Sequence, residues 1–202
     1  MPAEIVHTAQ PEMPFTLALW TITESDEALA KLYEQSKATA VQPHFKSTDR
    51  NREWLASRLL MQHLHLPPVS YLPNGKPFIA AGYFSLSHCA NQVALVLSDT
   101  PVGIDIQLPT EQIRRIHTKF CSPSELARFS PTPLREMTII WSAKEAIFKF
   151  WGENVAFAED IEVAPFDCDD SRITAQYRGA HGNRTFNLWH FEHDTHEIII
   201  AL

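Results

Sequence analysis

An α+β fold in two halves is what this sequence predicts, and three observations carry it. Stretches with the three-four apolar spacing of helices are interspersed with short apolar runs bounded by Gly, Pro, Asn and Asp. Both kinds occur in similar amounts before and after residue 100. No linker or low-complexity segment parts the chain, so two subdomains, residues 1–100 and 101–202, are expected.

Phe15 to Trp20 reads as a short apolar strand. Ser25 to Thr39 is rich in Ala, Leu, Glu and Lys, with Asp26 and Glu27 placed early, where a helix dipole favours acids. A second helix is expected from Asp49 to His63, because Trp54, Leu55, Arg58, Leu59 and Gln62 keep helical spacing; Pro67 and Pro68 end it. Asn74-Gly75-Lys76-Pro77 is a turn. Tyr83 to His88 and Gln92 to Leu97 follow as paired strands. Ser98-Asp99-Thr100-Pro101 then turns the chain into a third strand, Val102 to Leu108.

The second half opens with a helical stretch around Ile113 to Phe120. Ser122-Pro123-Ser124-Glu125 is a capping box with proline at the first helical position. Thr132-Pro133 marks the start of a long helix reaching about Trp151. Ile161 to Val163, Arg172 to Tyr177, Phe186 to Phe191 and Glu197 to Leu202 finish the chain as strands.

With 202 residues, 45% hydrophobic and 20% charged, the composition is that of a folded globular protein. No apolar run nears the roughly 20 residues of a membrane helix. The first ten residues lack the basic and apolar regions of a secretion signal. Cys89, Cys121 and Cys168 are scattered and odd in number, which fits reduced thiols in a cytoplasm better than a disulfide framework. A net charge of −7 argues against nucleic acid or an acidic membrane as partner. Two basic clusters stand out against it: Lys46, Arg50, Arg52 and Arg58, and Arg114, Arg115 and Lys119.

Three segments carry chemistry. Along Val102 to Gln107, alternation puts Val102, Ile104 and Ile106 on one strand face and Gly103, Asp105 and Gln107 on the other. A carboxylate among β-branched residues needs a partner, and Gly103 leaves room for a close approach. Asp105 and Gln107 would offer adjacent oxygens to a hard cation such as Mg²⁺. The plainer reading is an aspartate that caps neighbouring backbone.

In Trp141 to Lys149 and its flanks, Ile139, Ala143, Ala146, Ile147 and Phe150 form an apolar stripe. Glu145 and Lys149 sit one turn apart on the opposite side. Trp141 and Phe148 flank them there, so a helix covered on both faces is expected, with a surface ion pair as the bland alternative. Lys76 on its turn, and His88 after Phe84-Ser85-Leu86-Ser87, suit phosphate oxygens, one as a point charge and the other through a ring N–H. Taken singly, each has an ordinary structural reading.

Their order is what decides. Gly-Lys-Pro, Ser-Leu-Ser-His, Val-Gly-Ile-Asp-Ile and Trp-Ser-Ala-Lys-Glu-Ala-x-x-Lys, in this succession, resemble the Sfp-type 4′-phosphopantetheinyl transferase family from about Arg52 to Val163. The resemblance implies two similar subdomains about a pseudo-twofold axis, with coenzyme A in the cleft between them. It implies transfer of the 4′-phosphopantetheine arm to a serine of an apo acyl or peptidyl carrier protein, with release of 3′,5′-ADP.

Carried onto this chain, Asp105, Gln107 and Glu145 would hold Mg²⁺, and Glu145 and Lys149 would be catalytic. Lys149 would also touch the transferred phosphate. Arg52, Lys76, Ser87, His88 and Lys144 would hold the nucleotide end. Glu145 could accept the serine proton directly or through a metal-bound water. The partner would be an acidic carrier protein, with Arg114, Arg115 and Lys119 suited to meet it. The resemblance also implies a cytoplasmic monomer. A non-catalytic coenzyme A-binding module, or another Mg²⁺-dependent phosphodiester enzyme, is the alternative.

Three positions need separate weighing. Many family members carry an acid where this chain has Gln107; an amide oxygen can ligate Mg²⁺ but adds no charge, so weaker metal binding is expected. Glu125 reads as the partner of Ser122 in a capping box, with help to the metal site as the second possibility. His190, His193 and His196 recur at intervals of three, but the Asp and Thr between them indicate a turn that scatters the rings. No zinc site is expected there.

Overall fold

Two antiparallel sheets, each faced by one long helix, organise the chain in a computed structural model that describes residues 13–36, 45–128 and 133–202. The chain divides into two units, Met1–Asp99 and Thr100–Leu202.

The first unit contains β1 (Phe15–Thr21), α1 (Asp26–Gln35), α2 (Thr48–His63), β2 (Ser70–Tyr71), β3 (Pro77–Phe78), β4 (Tyr83–Cys89) and β5 (Gln92–Ser98). Both helices begin on a serine: Ser25 Oγ accepts from Ala28 N–H at 3.3 Å, and Ser47 Oγ from Arg50 N–H at 3.5 Å. The sheet runs β1-β5-β4. Ala90 and Asn91, with φ of 44° and 66°, form the tight left-handed turn that joins β4 to β5. Leu29, Leu55, Leu59 and Leu60 of the helices bury against Trp20, Val93 and Leu95 of the sheet. Each such leucine contributes about 1.5–3 kcal/mol. Thr39, assigned to the first helix by composition, lies outside the described residues.

The second unit contains β6 (Gly103–Gln107), α3 (Glu111–Ile116) with a 3₁₀ turn at His117–Lys119, α4 (Pro123–Arg128), α5 (Leu134–Trp151) and α6 (Phe157–Asp160). The strands β7 (Ile161–Val163), β8 (Arg172–Gly179), β9 (Gly182–His193) and β10 (His196–Ala201) follow. The sheet order is β6-β10-β9-β8-β7, all antiparallel. The apolar stripe of α5 is buried throughout, and Ala143, Ile147 and Phe150 share a core with Ile173, Phe186, Leu188 and Ile199. Gly152, at φ 94°, closes α5 by donating its N–H to Phe148 O at 2.7 Å. Thr132, expected at the start of this helix, lies outside the described residues.

The fold is mixed α and β, as the alternation of periodic and extended segments implies. Among the described residues the sheets of the two units differ in strand number, three against five, with a separate β2–β3 hairpin in the first. Two details depart from expectation. β9 starts at Gly182 rather than Phe186, because Gly179 and Gly182 pair across a two-residue turn and carry the ladder through polar residues. α6 and the β2–β3 hairpin are too short to leave a period in the sequence. No described helix is long and apolar enough to cross a membrane.

Candidate active site

The site begins with the absence of a side chain. At Gly103, β6 and α5 approach so closely that a Cβ would lie 2.0 Å from Ala146 O and 2.6 Å from Phe150 N. The space that Gly103 leaves is taken by the helix itself. The next residue on the same strand face, Asp105, therefore meets α5. Lys149 Nζ donates to Asp105 Oδ1 at 2.7 Å, and the aspartate side chain is only 3% exposed. Lys149 thus crosses to the strand, which goes beyond the surface pair with Glu145 that spacing alone allowed.

Glu145 lies one turn before Lys149 on α5. Burial, then the negative charge of Asp105, push its carboxyl up to about 7, with Lys149 opposing. Two carboxylates thus share a desolvated place with one lysine. A divalent hard cation relieves that imbalance, and carboxylate oxygens are its preferred donors. Gln107, partly exposed and next on the strand face, carries an amide oxygen. Among the described residues no cluster of three or more His, Cys, Asp or Glu could hold a metal. A cation at Asp105 and Glu145 would therefore take its other oxygens from water, an amide or a ligand, which suits Mg²⁺. Trp141 and Phe148 cover the flank through Phe157 of α6, at ring-centroid distances of 5.6 and 6.0 Å. Phe120 lies 5.1 Å from Trp141.

Lys144 corrects an expectation. It is fully buried, and its ammonium donates to Glu125 Oε2 at 2.7 Å, Phe157 O at 2.9 Å and Ile161 O at 2.7 Å. All three protons are used inside the protein, so Lys144 is not a contact to the nucleotide. Glu125 completes the capping box, since its Oε2 accepts from Ser122 N–H at 2.6 Å while Ser122 Oγ accepts from Glu125 N–H at 3.2 Å. Its Oε1 accepts from Val163 N–H at 2.8 Å.

The sequence profile of the 4′-phosphopantetheinyl transferase superfamily matches residues 101–202. The chain belongs to that superfamily. It is 37% identical over 112 residues to the 4′-phosphopantetheinyl transferase AcpT of Salmonella typhi, covering 50% of this chain and 58% of that protein. It is 36% identical over 112 residues to AcpT of Escherichia coli strain K12, covering 50% and 57%. To the 4′-phosphopantetheinyl transferase psf-1 of Bacillus pumilus it is 32% identical over 91 residues, covering 42% and 39%. The chain spans about half the length of the curated relatives it matches. Asp105, Gln107, Glu145 and Lys149 all fall within the half that the superfamily profile covers.

The remaining residues that resemblance to the phosphopantetheinyl transferases picks out lie in the first unit. His88 Nδ1 is 2.9 Å from Glu53 Oε2 on α2. Arg52, the neighbour of Glu53, donates from Nη2 to Glu24 O at 3.0 Å, and its Nε lies 3.2 Å from Asp26 Oδ1. Ser87 is buried in β4. Lys76 sits on the β2–β3 turn, where its N–H donates to Asn74 Oδ1 at 3.1 Å, and burial lowers its ammonium pKa.

Four side chains beyond the motifs shape the second unit. Glu197, 1% exposed, lies 2.6 Å from Arg135 Nε and 2.7 Å from His190 Nε2. His190 belongs to that pair, and the β9–β10 turn through Asp194 and Thr195 separates it from His196. Phe157 is the fourth. A glutamate opening a run of isoleucines was the sole sequence signal for this network, and Phe157 had none.

Proposed function

We propose that this chain transfers the 4′-phosphopantetheine group of coenzyme A to a serine of an apo acyl or peptidyl carrier protein, releasing 3′,5′-ADP. The observation that carries the reading is the Asp105–Lys149 contact beside Glu145, whose carboxyl burial and Asp105 push up. Support comes from the superfamily membership of residues 101–202 and from relatives named 4′-phosphopantetheinyl transferases.

Asp105 and Glu145, with the Gln107 amide, would hold Mg²⁺, which when bound neutralises charge on the pyrophosphate oxygens. Lys149, whose ammonium lies on Asp105, would add positive charge beside the phosphoryl oxygens, and preorganised charge of that kind is usually the largest catalytic contribution. Glu145 would accept the proton of the attacking serine hydroxyl, directly or through a water. Arg52, Lys76, Ser87 and His88 hold the nucleotide end, including its 3′-phosphate. Arg114, Arg115 and Lys119 meet an acidic carrier.

The pseudo-twofold relation of the halves, the cleft between them and the monomeric state belong to this proposal and rest on the family resemblance. A cytoplasmic setting belongs to it too, in keeping with three cysteines outside any disulfide.

The test is intact-mass spectrometry of apo carrier proteins incubated with the chain, coenzyme A and Mg²⁺, beside the Asp105→Ala and Glu145→Ala variants. The expected result is a gain of one phosphopantetheine, lost with chelator and in both variants. No gain on carriers of several classes, despite measurable coenzyme A binding, would leave a binding module instead.

A further inference from the structure

Lys144 and Glu145 are consecutive on α5, so their side chains leave the helix about 100° apart. One goes into the protein, and the other shares a desolvated site with Asp105. The buried one is held by more than packing. An ammonium has three protons, and here three fixed acceptors take them: Glu125 Oε2, Phe157 O and Ile161 O. Phe157 opens α6 and Ile161 opens β7. Glu125 belongs to α4, and its carboxylate also collects Ser122 N–H and Val163 N–H. One buried ion pair thus ties α4, α5, α6 and β7 together, with neither side chain reaching solvent.

A second stop acts elsewhere on the same helix. There β6 touches the α5 backbone at Ala146 and Phe150 through Gly103. Lys144 on one side and the Gly103 contact on another both oppose rotation of α5 about its axis. Glu145, between residues 144 and 146, is carried by the part of the helix so fixed.

Stability alone does not account for such a pair. Apolar side chains of similar volume commonly do as well in a buried site, because both charges lose their water. A tripod of fixed acceptors does something an apolar contact cannot, since it accepts one rotation of the helix and penalises the rest.

We propose that Lys144 is a positioning residue of the metal and phosphate site. Acting through Glu125 and the carbonyls of Phe157 and Ile161, it sets the rotation of α5 and so holds Glu145 and Lys149 against Asp105. It touches no substrate. The inference rests on the transferase reading for its purpose and on the buried contacts for its mechanism.

The experiment compares the wild-type chain with two variants. One is the double replacement Lys144→Met with Glu125→Met, which exchanges the pair for apolar side chains of similar length. The other is Glu125→Gln, which keeps the shape. Three quantities are read: the melting temperature, the Mn²⁺ affinity of the metal-free protein by electron paramagnetic resonance, and kcat and KM for transfer. Glu125→Gln keeps an acceptor and should melt near the wild type, whereas the double variant leaves the Ser122 and Val163 N–H groups without theirs and should melt lower. Its Mn²⁺ affinity and kcat should each fall about tenfold or more, the scale usual for residues behind metal ligands, with little change in KM for coenzyme A.

A pair that served stability alone would lower the melting temperature with wild-type Mn²⁺ affinity and kcat, and that would overturn the proposal. If the double variant does not fold, Glu125→Gln decides on the same readings: weaker Mn²⁺ binding supports the proposal, and wild-type binding overturns it. A wild-type chain that binds Mn²⁺ yet modifies no carrier would count against the transferase reading, and the Mn²⁺ affinities would still judge the role of Lys144.

Discussion

Gln107 lies directly across from Glu197 in the β6–β10 ladder, on the sheet face that also carries Asp105. Burial works against ionisation of Glu197, yet His190 and Arg135 outweigh it and keep its carboxyl below the usual range. A second carboxylate at 107 would therefore face an ionised one. The amide at this position, where many family members carry an acid, has a structural reason in its cross-strand neighbour.

Gln107→Glu should destabilise the metal-free protein by about 0.5–1 kcal/mol, the usual scale for like charges placed opposite one another. Mg²⁺ should restore the loss and should half-saturate the variant at a lower concentration than the wild type. Melting curves with and without Mg²⁺ check both points. Unchanged stability together with an unchanged Mg²⁺ dependence would mean that residue 107 faces neither Glu197 nor the metal.

The carboxyl of Glu145 predicts a pH dependence with a definite sign. Its folded-state pKa, about 7, stands above its ordinary 4.5, so the folded chain keeps a proton that the unfolded chain releases. The associated stability is complete below about 4.5 and is lost as pH rises through 7, amounting to no more than about 3 kcal/mol. Chemical denaturation of metal-free protein across that range measures it. Glu145→Gln should flatten the profile, and a wild-type profile that rises with pH would contradict the assignment.

Gly103→Ala places a methyl group within 3 Å of two backbone atoms of α5, neither of which can swing aside as a side chain would. The cost should sit at or above the upper end of ordinary overpacking, about 3 kcal/mol. Urea unfolding gives the number. A variant as stable as the wild type would show that helix and strand separate easily at this point.

Arg114 pairs with Glu111 on the exposed face of α3, Nη2 to Oε2 at 2.6 Å, and an exposed pair of this kind adds little to stability. Reversing Arg114 and Arg115 to Glu should leave the melting temperature nearly unchanged. It should raise KM for the carrier while sparing that for coenzyme A. A change confined to coenzyme A would place the carrier elsewhere.

Local chemistry was legible in the sequence wherever it acts locally. The Ser122–Glu125 box is a matter of neighbours, and both of its hydrogen bonds form. The α5 stripe follows from helical period and is buried as that period requires. Gly103 announced a close approach, but that the visitor is the backbone of α5 depends on packing between distant segments. Lys144 misled for the same reason. Beside Glu145 in a motif rich in charge it reads as a ligand contact, yet its acceptors on Phe157 and Ile161 lie 13 and 17 residues further on. Glu197 drew no attention because its partners Arg135 and His190 arrive through a helix start and a neighbouring strand.

The meeting of β6 and α5 at Gly103 is main chain against main chain. Such a seam has no adjustable part, since its width is that of the polypeptide backbone and not the volume of any residue. The gap between Asp105 and the acid and lysine of α5 is thereby insulated from the side-chain drift that loosens or tightens most clefts. Anyone wishing to retune this centre must alter what is mounted on the two elements, because any side chain at residue 103 would press on the α5 backbone.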